Sequence, residues 1–125
     1  MRKVIFTPPE ANRRLPLVRK IVVEILEKGQ SLRSNLEKSP GQTDAQTLLL
    51  QEEIEALMEE LQELGCFYKD WDFSMGLVDF PAFIEGEAVF LCWRSDEPSV
   101  QWYHSMEGGY LARKPIPEHL LTEAG

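Results

Sequence analysis

The sequence is poor in cysteine, histidine and basic charge, and it lacks long apolar runs. Two cysteines are too few for a disulfide framework, and neither CxxC nor HxxxH occurs. Acidic residues outnumber basic ones 21 to 13, and the net charge of −8 opposes binding to nucleic acid. No run reaches membrane-spanning length, and the opening MRKVIFTPPE lacks a signal-peptide core. We therefore expect a cytoplasmic protein with reduced thiols and without nucleic-acid or membrane partners.

The N-terminal half of this 125-residue chain has the apolar period of helices. In FTPPEANRRLPLV, Thr7 is the predicted N-cap and Glu10 closes a capping box. The segment SPGQTD interrupts the period, a second helix is predicted to start with Thr43 as N-cap, and Gly65 is a typical stop. The pattern predicts a long antiparallel helical hairpin over roughly residues 7–64.

Charge supports that pairing, because the first helix is rich in Arg and Lys, whereas every charged residue of the second helix is acidic. In the antiparallel arrangement we expect Arg19 near Glu63, and Lys28 near Glu53 or Glu55. The acidic helix face has a second interpretation, as a docking surface for a basic partner.

The C-terminal half has the period of strands. CFYKDWD, LVDFPAFI, EAVFLCWR and SVQWYH are separated by turn signals, and GGYLARKPIP follows as an extended, proline-rich segment. These patterns predict an antiparallel meander of three to four strands over residues 66–116. The fold class is α+β, with residues 1–125 forming one domain.

The turn lengths set the faces of this sheet. A two-residue turn after LVDFPAFI places Asp79 opposite Cys92. A four-residue SDEP loop then places Cys92 opposite Gln101, with His104 on the other face. A loop longer or shorter by one residue would instead bring Cys92 and His104 together. We favour the four-residue loop because it aligns the apolar residues of three strands in one layer.

The second face of this predicted sheet is unusually aromatic for a solvated surface. It would present Asp79, Phe90, Arg94 and Tyr103, with an ion pair between Asp79 and Arg94. Such a patch is typical of an interaction surface. A homodimer is the simplest partner, and another protein is the alternative.

Several motifs resemble one bacterial family. FTPPEANRRLPLV, GLVDFPA, LCWR, the acid of SDEP, YH and GYLARKPI together resemble the family known as domain of unknown function 2203. The resemblance implies no established activity, although it suggests metal binding. The matching polar positions that it implies are Glu10, Asn12, Asp79, Cys92, Arg94, Glu97, His104 and Arg113.

Three kinds of chemistry are compatible with the polar residues. A divalent metal ion would use His104 with Glu107, Asp79 and Glu97, giving an oxygen-rich site with one imidazole. A small anion would bind the guanidinium groups of Arg94 and Arg113. A nucleophilic Cys92 would need His104 beside it, which the favoured register forbids.

The sequence therefore predicts, first, a non-catalytic bacterial module that oligomerises or binds a protein partner. The alternatives are a metal-binding protein or metal-dependent enzyme that uses His104, and a small-anion-binding protein. The metal hypothesis requires His104 and at least two acidic side chains to approach one point.

Overall fold

The computed structural model describes residues 4–38 and 44–122, which form two long helices followed by an antiparallel sheet. Helix α1 spans Pro8–Lys38 and helix α2 spans Ala45–Leu64. The predicted capping box is present: the Thr7 N–H donates to Glu10 Oε1 at 2.9 Å, and the Glu10 N–H donates to Thr7 Oγ1 at 3.3 Å. The α+β class with its helical hairpin is confirmed.

The start of α2 differs by one residue from the prediction. Thr43 lies outside the described residues, and the N-cap is Asp44, whose carboxylate accepts the Thr47 N–H at 2.8 Å. An ionised carboxylate at the N-cap also stabilises the helix through its attraction to the positive end of the helix dipole. The helix ends as predicted at Gly65, which has a φ of 96°.

One of the two interhelical ion pairs is confirmed. Lys28 bonds Glu53, which joins the facing surfaces of α1 and α2. The prediction for Arg19 was wrong, because its side chain faces the sheet rather than α2. It donates to the Pro98 carbonyl at 3.3 Å and lies 5.2 Å from the centre of the Trp93 ring.

Within the described residues, the sheet has five strands, paired in chain order. They are β1 Phe67–Tyr68, β2 Leu77–Ile84, β3 Glu87–Arg94, β4 Trp102–Ser105 and β5 Lys114–Pro115. The prediction of three to four strands was short because it did not count β5, which has only two residues. Strands this short leave little alternation in a sequence.

The β2–β3 hairpin has the predicted register, with Asp79 opposite Cys92. Its two-residue turn holds Glu85 at φ 52° and Gly86 at φ 81°, the positive values that a tight hairpin turn requires. The inner face of the hairpin packs on the helices, with Phe80 and Trp93 fully buried in the core. The outer face, which bears Asp79 and Cys92, points away from them.

The β3–β4 register is shifted by one residue from the favoured prediction. Cys92 lies opposite Trp102, and Phe90 lies opposite His104. His104 therefore shares the outer face with Cys92, while Tyr103 turns to the inner face and packs against the core. The alternative, in which one extra loop residue brings Cys92 and His104 together, is the arrangement found.

Contacts at each end of the β3–β4 loop explain the shift. The Glu97 carboxylate accepts the Arg94 N–H at 2.7 Å, and the Glu97 carbonyl accepts the Trp93 indole N–H at 2.9 Å. Beyond the loop, the Asn12 side chain on α1 bonds both backbone groups of Val100, at 2.7 Å and 3.2 Å. These bonds set the loop length independently of the apolar pattern.

Candidate metal centre

Three potential metal ligands meet on the outer face of the sheet. Asp79 lies directly opposite Cys92, and His104 on β4 comes beside them through the shifted register. Their donor atoms all lie within 4.8 Å of one another. The residues are only 5%, 1% and 3% exposed, so little of the cluster's surface is in contact with solvent. Buried polar groups of this kind need partners, either each other or a bound ion.

The imidazole of His104 is held in one orientation. Its Nδ1 lies 2.7 Å from the Ser105 carbonyl oxygen, which only accepts hydrogen bonds, so Nδ1 carries a proton and donates. Its Nε2 lies 3.1 Å and 3.2 Å from the two oxygens of Asp79. That second contact also needs a proton, held between Nε2 and the carboxylate. A cation placed there would replace it.

Burial favours the protonated forms of the other two groups. It raises the pKa of Asp79 above its ordinary value, although His104, Lys69 and Cys92 act in the opposite direction. Burial and the Asp79 carboxylate raise the pKa of the Cys92 thiol to about 12, against a smaller opposing effect of Arg113. A bound divalent cation reverses this preference, because its charge stabilises both the thiolate and the carboxylate.

The cluster lies at the wall of a cavity of about 260 Å³. The cavity is lined on its other sides by Lys69, Leu77, Phe90, Met106, Glu107, Gly109 and Tyr110. It therefore gives a small molecule or water access to the donor atoms. Three protein ligands beside an open space are typical of catalytic rather than structural zinc sites.

The predicted metal ligands are only partly brought together. His104 and Asp79 meet in the cluster, and the exposed Glu107 lines the same cavity. Glu97 is elsewhere, because its carboxylate accepts Arg113 Nη1 at 2.9 Å and the Arg94 N–H. The third donor is Cys92, so the site is less oxygen-rich than predicted.

The guanidinium groups proposed for a small anion already have partners. Arg113 bonds Glu97 and lies 5.0 Å and 4.5 Å from the ring centres of Trp102 and Tyr110. Arg94 bonds Asp96 and the Tyr110 hydroxyl. The predicted Asp79–Arg94 ion pair was wrong, because Asp79 turns to His104 instead.

The predicted interaction surface is also rearranged. Asp79 is buried, Phe90 and Arg94 are half-buried, and Tyr103 lies on the opposite face of the sheet. The four side chains therefore do not form one exposed patch. The two remaining positions implied by the family resemblance are Glu10 and Asn12. Glu10 caps the N-terminus of α1, and Asn12 bonds the backbone of Val100.

Sequence reasoning overlooked Asp70, a second buried carboxylate, which is 8% exposed. It accepts backbone N–H groups from Asp72 at 3.2 Å and from Ser74, Met75 and Gly76 at 2.9 Å. Burial acts to raise the pKa of Asp70, but these four donors outweigh it and lower the pKa. The sequence signal that could have identified it is an aspartate at the start of a polar turn, a position where the side chain commonly accepts backbone N–H groups.

Together these elements define an α+β protein whose sheet carries a buried carboxylate–thiol–imidazole cluster on its outer face. The chain belongs to the family of uncharacterized conserved proteins DUF2203, whose family model matches residues 4–116. This match confirms the family resemblance of the sequence motifs. Comparison with curated proteins and with solved structures finds no significant match. Within the described part of the chain, no helix is long and apolar enough to cross a membrane.

Proposed function

We propose that this protein binds one divalent metal ion of the zinc type through Asp79, Cys92 and His104, with an open coordination position toward the cavity. The observation that supports the proposal is the convergence of three different donor atoms within 4.8 Å at a buried site. Thiolate, imidazole and carboxylate are the three protein donor types that zinc accepts.

The surroundings of His104 support the same function. Metal-binding histidines usually donate their second ring N–H to a carbonyl or carboxylate, which fixes the tautomer. The Nδ1–Ser105 bond at 2.7 Å provides this, and it directs the lone pair of Nε2 toward Asp79. Charge is conserved as well: one divalent cation replaces the thiol proton and the proton shared by Asp79 and His104.

A nucleophilic role for Cys92 is less well supported by the geometry. Both ring nitrogens of His104 are engaged, with Ser105 and with Asp79, so neither is free to accept the thiol proton. The pKa of about 12 also leaves the metal-free thiol protonated at neutral pH.

The two buried cysteines supply a matched test. Cys66, which bonds the Leu61 carbonyl, is as buried as Cys92 but lies away from the cluster. Metal-free protein would be titrated with Co²⁺ and Zn²⁺, with the Co²⁺ spectrum read for a thiolate charge-transfer band and bound zinc measured by mass spectrometry. We expect one metal ion per chain in the wild type and in Cys66→Ala. Cys92→Ala should lose the band and at least about 100-fold in affinity.

The histidines supply a second pair, because His119 is exposed and lies in the C-terminal segment. His104→Ala should lose zinc and His119→Ala should keep it, with circular dichroism verifying that both variants fold. A wild type without the cobalt band, or a Cys92→Ala protein that retains it, would refute the proposal.

The other predictions remain open beside this one. A location in the bacterial cytoplasm stays a prediction. A homodimer or a protein partner stays a prediction.

A further inference from the structure

The outer face of the sheet continues from the metal centre into an apolar groove of about 420 Å³. The groove lies toward the β2–β3 turn, and Ile5, Phe67 and Phe83 are among its walls. These three side chains are 42%, 37% and 57% exposed, so a large apolar surface faces solvent. Among the described residues, no charged side chain lines it.

The groove and the cavity of the metal centre adjoin. Phe90 and Met106 line both of them, so one apolar wall runs from the cluster into the groove. Phe90 also contacts His104, with ring centres 5.7 Å apart. A ligand that occupies the groove therefore extends with one end toward the metal ligands.

Among the residues that the structure describes, one cation lies where the two spaces meet. The Lys69 ammonium is 5.8 Å from the centre of the Phe90 ring and 6.0 Å from that of Phe67. Phe67 lines the groove, Lys69 lines the cavity, and Phe90 lines both. Within the described ranges, no carboxylate lies at ion-pair distance from Lys69, although the chain carries 21 acidic residues.

We propose that this site takes an aliphatic carboxylate, with its chain in the groove and its head group between Lys69 and the metal ion. The polar end meets the Lys69 ammonium, which also acts electrostatically on Asp79, and the apolar end meets walls that carry no charge among the described residues. The inference names the ligand class of the proposed metal centre and rests on that function for the metal contact. The groove volume falls within the range of about 300–1,000 Å³ that small-molecule sites occupy.

Calorimetry of zinc-loaded protein with hexanoate, decanoate and decanol tests the proposal. Each methylene buried in the groove should tighten carboxylate binding about fourfold, so decanoate should bind much more tightly than hexanoate. Decanol lacks the charge and should bind more weakly than decanoate. Equal affinity for hexanoate and decanoate would refute the binding of the aliphatic chain in the groove.

Two substitutions separate the head-group and chain contacts. Lys69→Gln should weaken decanoate binding about two- to fivefold and leave decanol unchanged, while Lys114→Gln, an exposed lysine outside both spaces, should change neither. Phe83→Asp should weaken both ligands, whereas Leu111→Asp, at a position 96% exposed, should have no effect. A normal decanoate affinity in Lys69→Gln would refute the role of this lysine.

The same samples distinguish failure of this inference from failure of the metal centre. Zinc-loaded protein that binds no decanoate refutes the ligand alone, and decanoate binding by protein that takes up no zinc refutes the metal site alone. Sedimentation velocity, which measures the oligomeric state, tests whether a second copy of the chain occupies the groove instead. If a second copy of the chain fills the groove, the wild type is a dimer, Phe83→Asp is a monomer, and the carboxylate proposal is refuted.

Discussion

Two buried aspartates nine residues apart, Asp70 and Asp79, have opposite environments. Asp70 accepts four backbone N–H groups, which stabilise its ionised form and lower its pKa. Asp79 accepts from no backbone donor in the described chain and faces a thiol and an imidazole, and burial raises its pKa. A carboxylate saturated by the backbone holds a loop in place, whereas one that faces side-chain donors remains available for a ligand.

The largest expected effect is the pH dependence of zinc affinity at the Asp79 cluster. Zinc should displace two protons, one from Cys92 and one from the Asp79–His104 pair. Zinc affinity should therefore fall as the pH is lowered. Calorimetry in buffers of different ionisation enthalpy measures the proton count directly. A count near zero would mean that zinc binds elsewhere, at groups that are already deprotonated.

The second effect is on stability, and it separates the two aspartates. Zinc at about 100 times its dissociation constant should stabilise the wild type by about 2.7 kcal/mol. Asp79→Asn should abolish this gain because it removes a ligand, whereas Asp70→Asn should keep it. Urea denaturation with and without zinc measures both values. An equal gain in the two variants would remove the functional distinction between the aspartates.

The third effect concerns the loop that Asp70 holds. Asp70→Ala leaves four backbone N–H groups without their acceptor, so it should cost about 1–3 kcal/mol with or without zinc. Because the folded pKa of Asp70 is lowered, its contribution is complete above the ordinary value near 3.9. It is lost as the pH falls through the folded pKa. Wild-type stability should therefore decline more steeply in acid than that of Asp70→Ala, as urea midpoints across this range would show.

The smallest effect belongs to Asp44, an exposed aspartate that also has a lowered pKa because it accepts a backbone N–H from Thr47. Asp44→Ala should lower the Tm by less than Asp70→Ala, since solvent can replace the single lost bond. Zinc binding should be unchanged. A larger loss than for Asp70→Ala would show that the number of backbone donors does not determine the structural importance of these carboxylates.

Much of the fold was predictable because its signals are local. The capping box at Thr7 and the Glu85–Gly86 turn each involve neighbouring residues, and strands β2 and β3 agree with the alternation of their sequences. The pairing of Asp79 with Cys92 followed from that turn, so two of the three donors were already together on the predicted sheet.

The position of His104 was not predictable from the same signals. The β3–β4 loop is set by Glu97, whose side chain bonds the backbone of Arg94, and by Asn12, which bonds Val100. Asn12 precedes Val100 by 88 positions, and no apolar period records such a contact. The favoured register was chosen because it aligned the apolar residues of three strands, whereas polar bonds determined the outcome.

The Asn12–Val100 contact has a consequence for the order of folding. Until α1 docks and Asn12 closes a span of 88 residues, the apolar pattern alone would allow strand β4 to pair one residue away, which would place His104 on the other face of the sheet. Closure of so long a span is slow compared with formation of a helix or hairpin. We therefore expect the histidine to join its two partners late in folding, so that metal capture would report on completion of the whole chain.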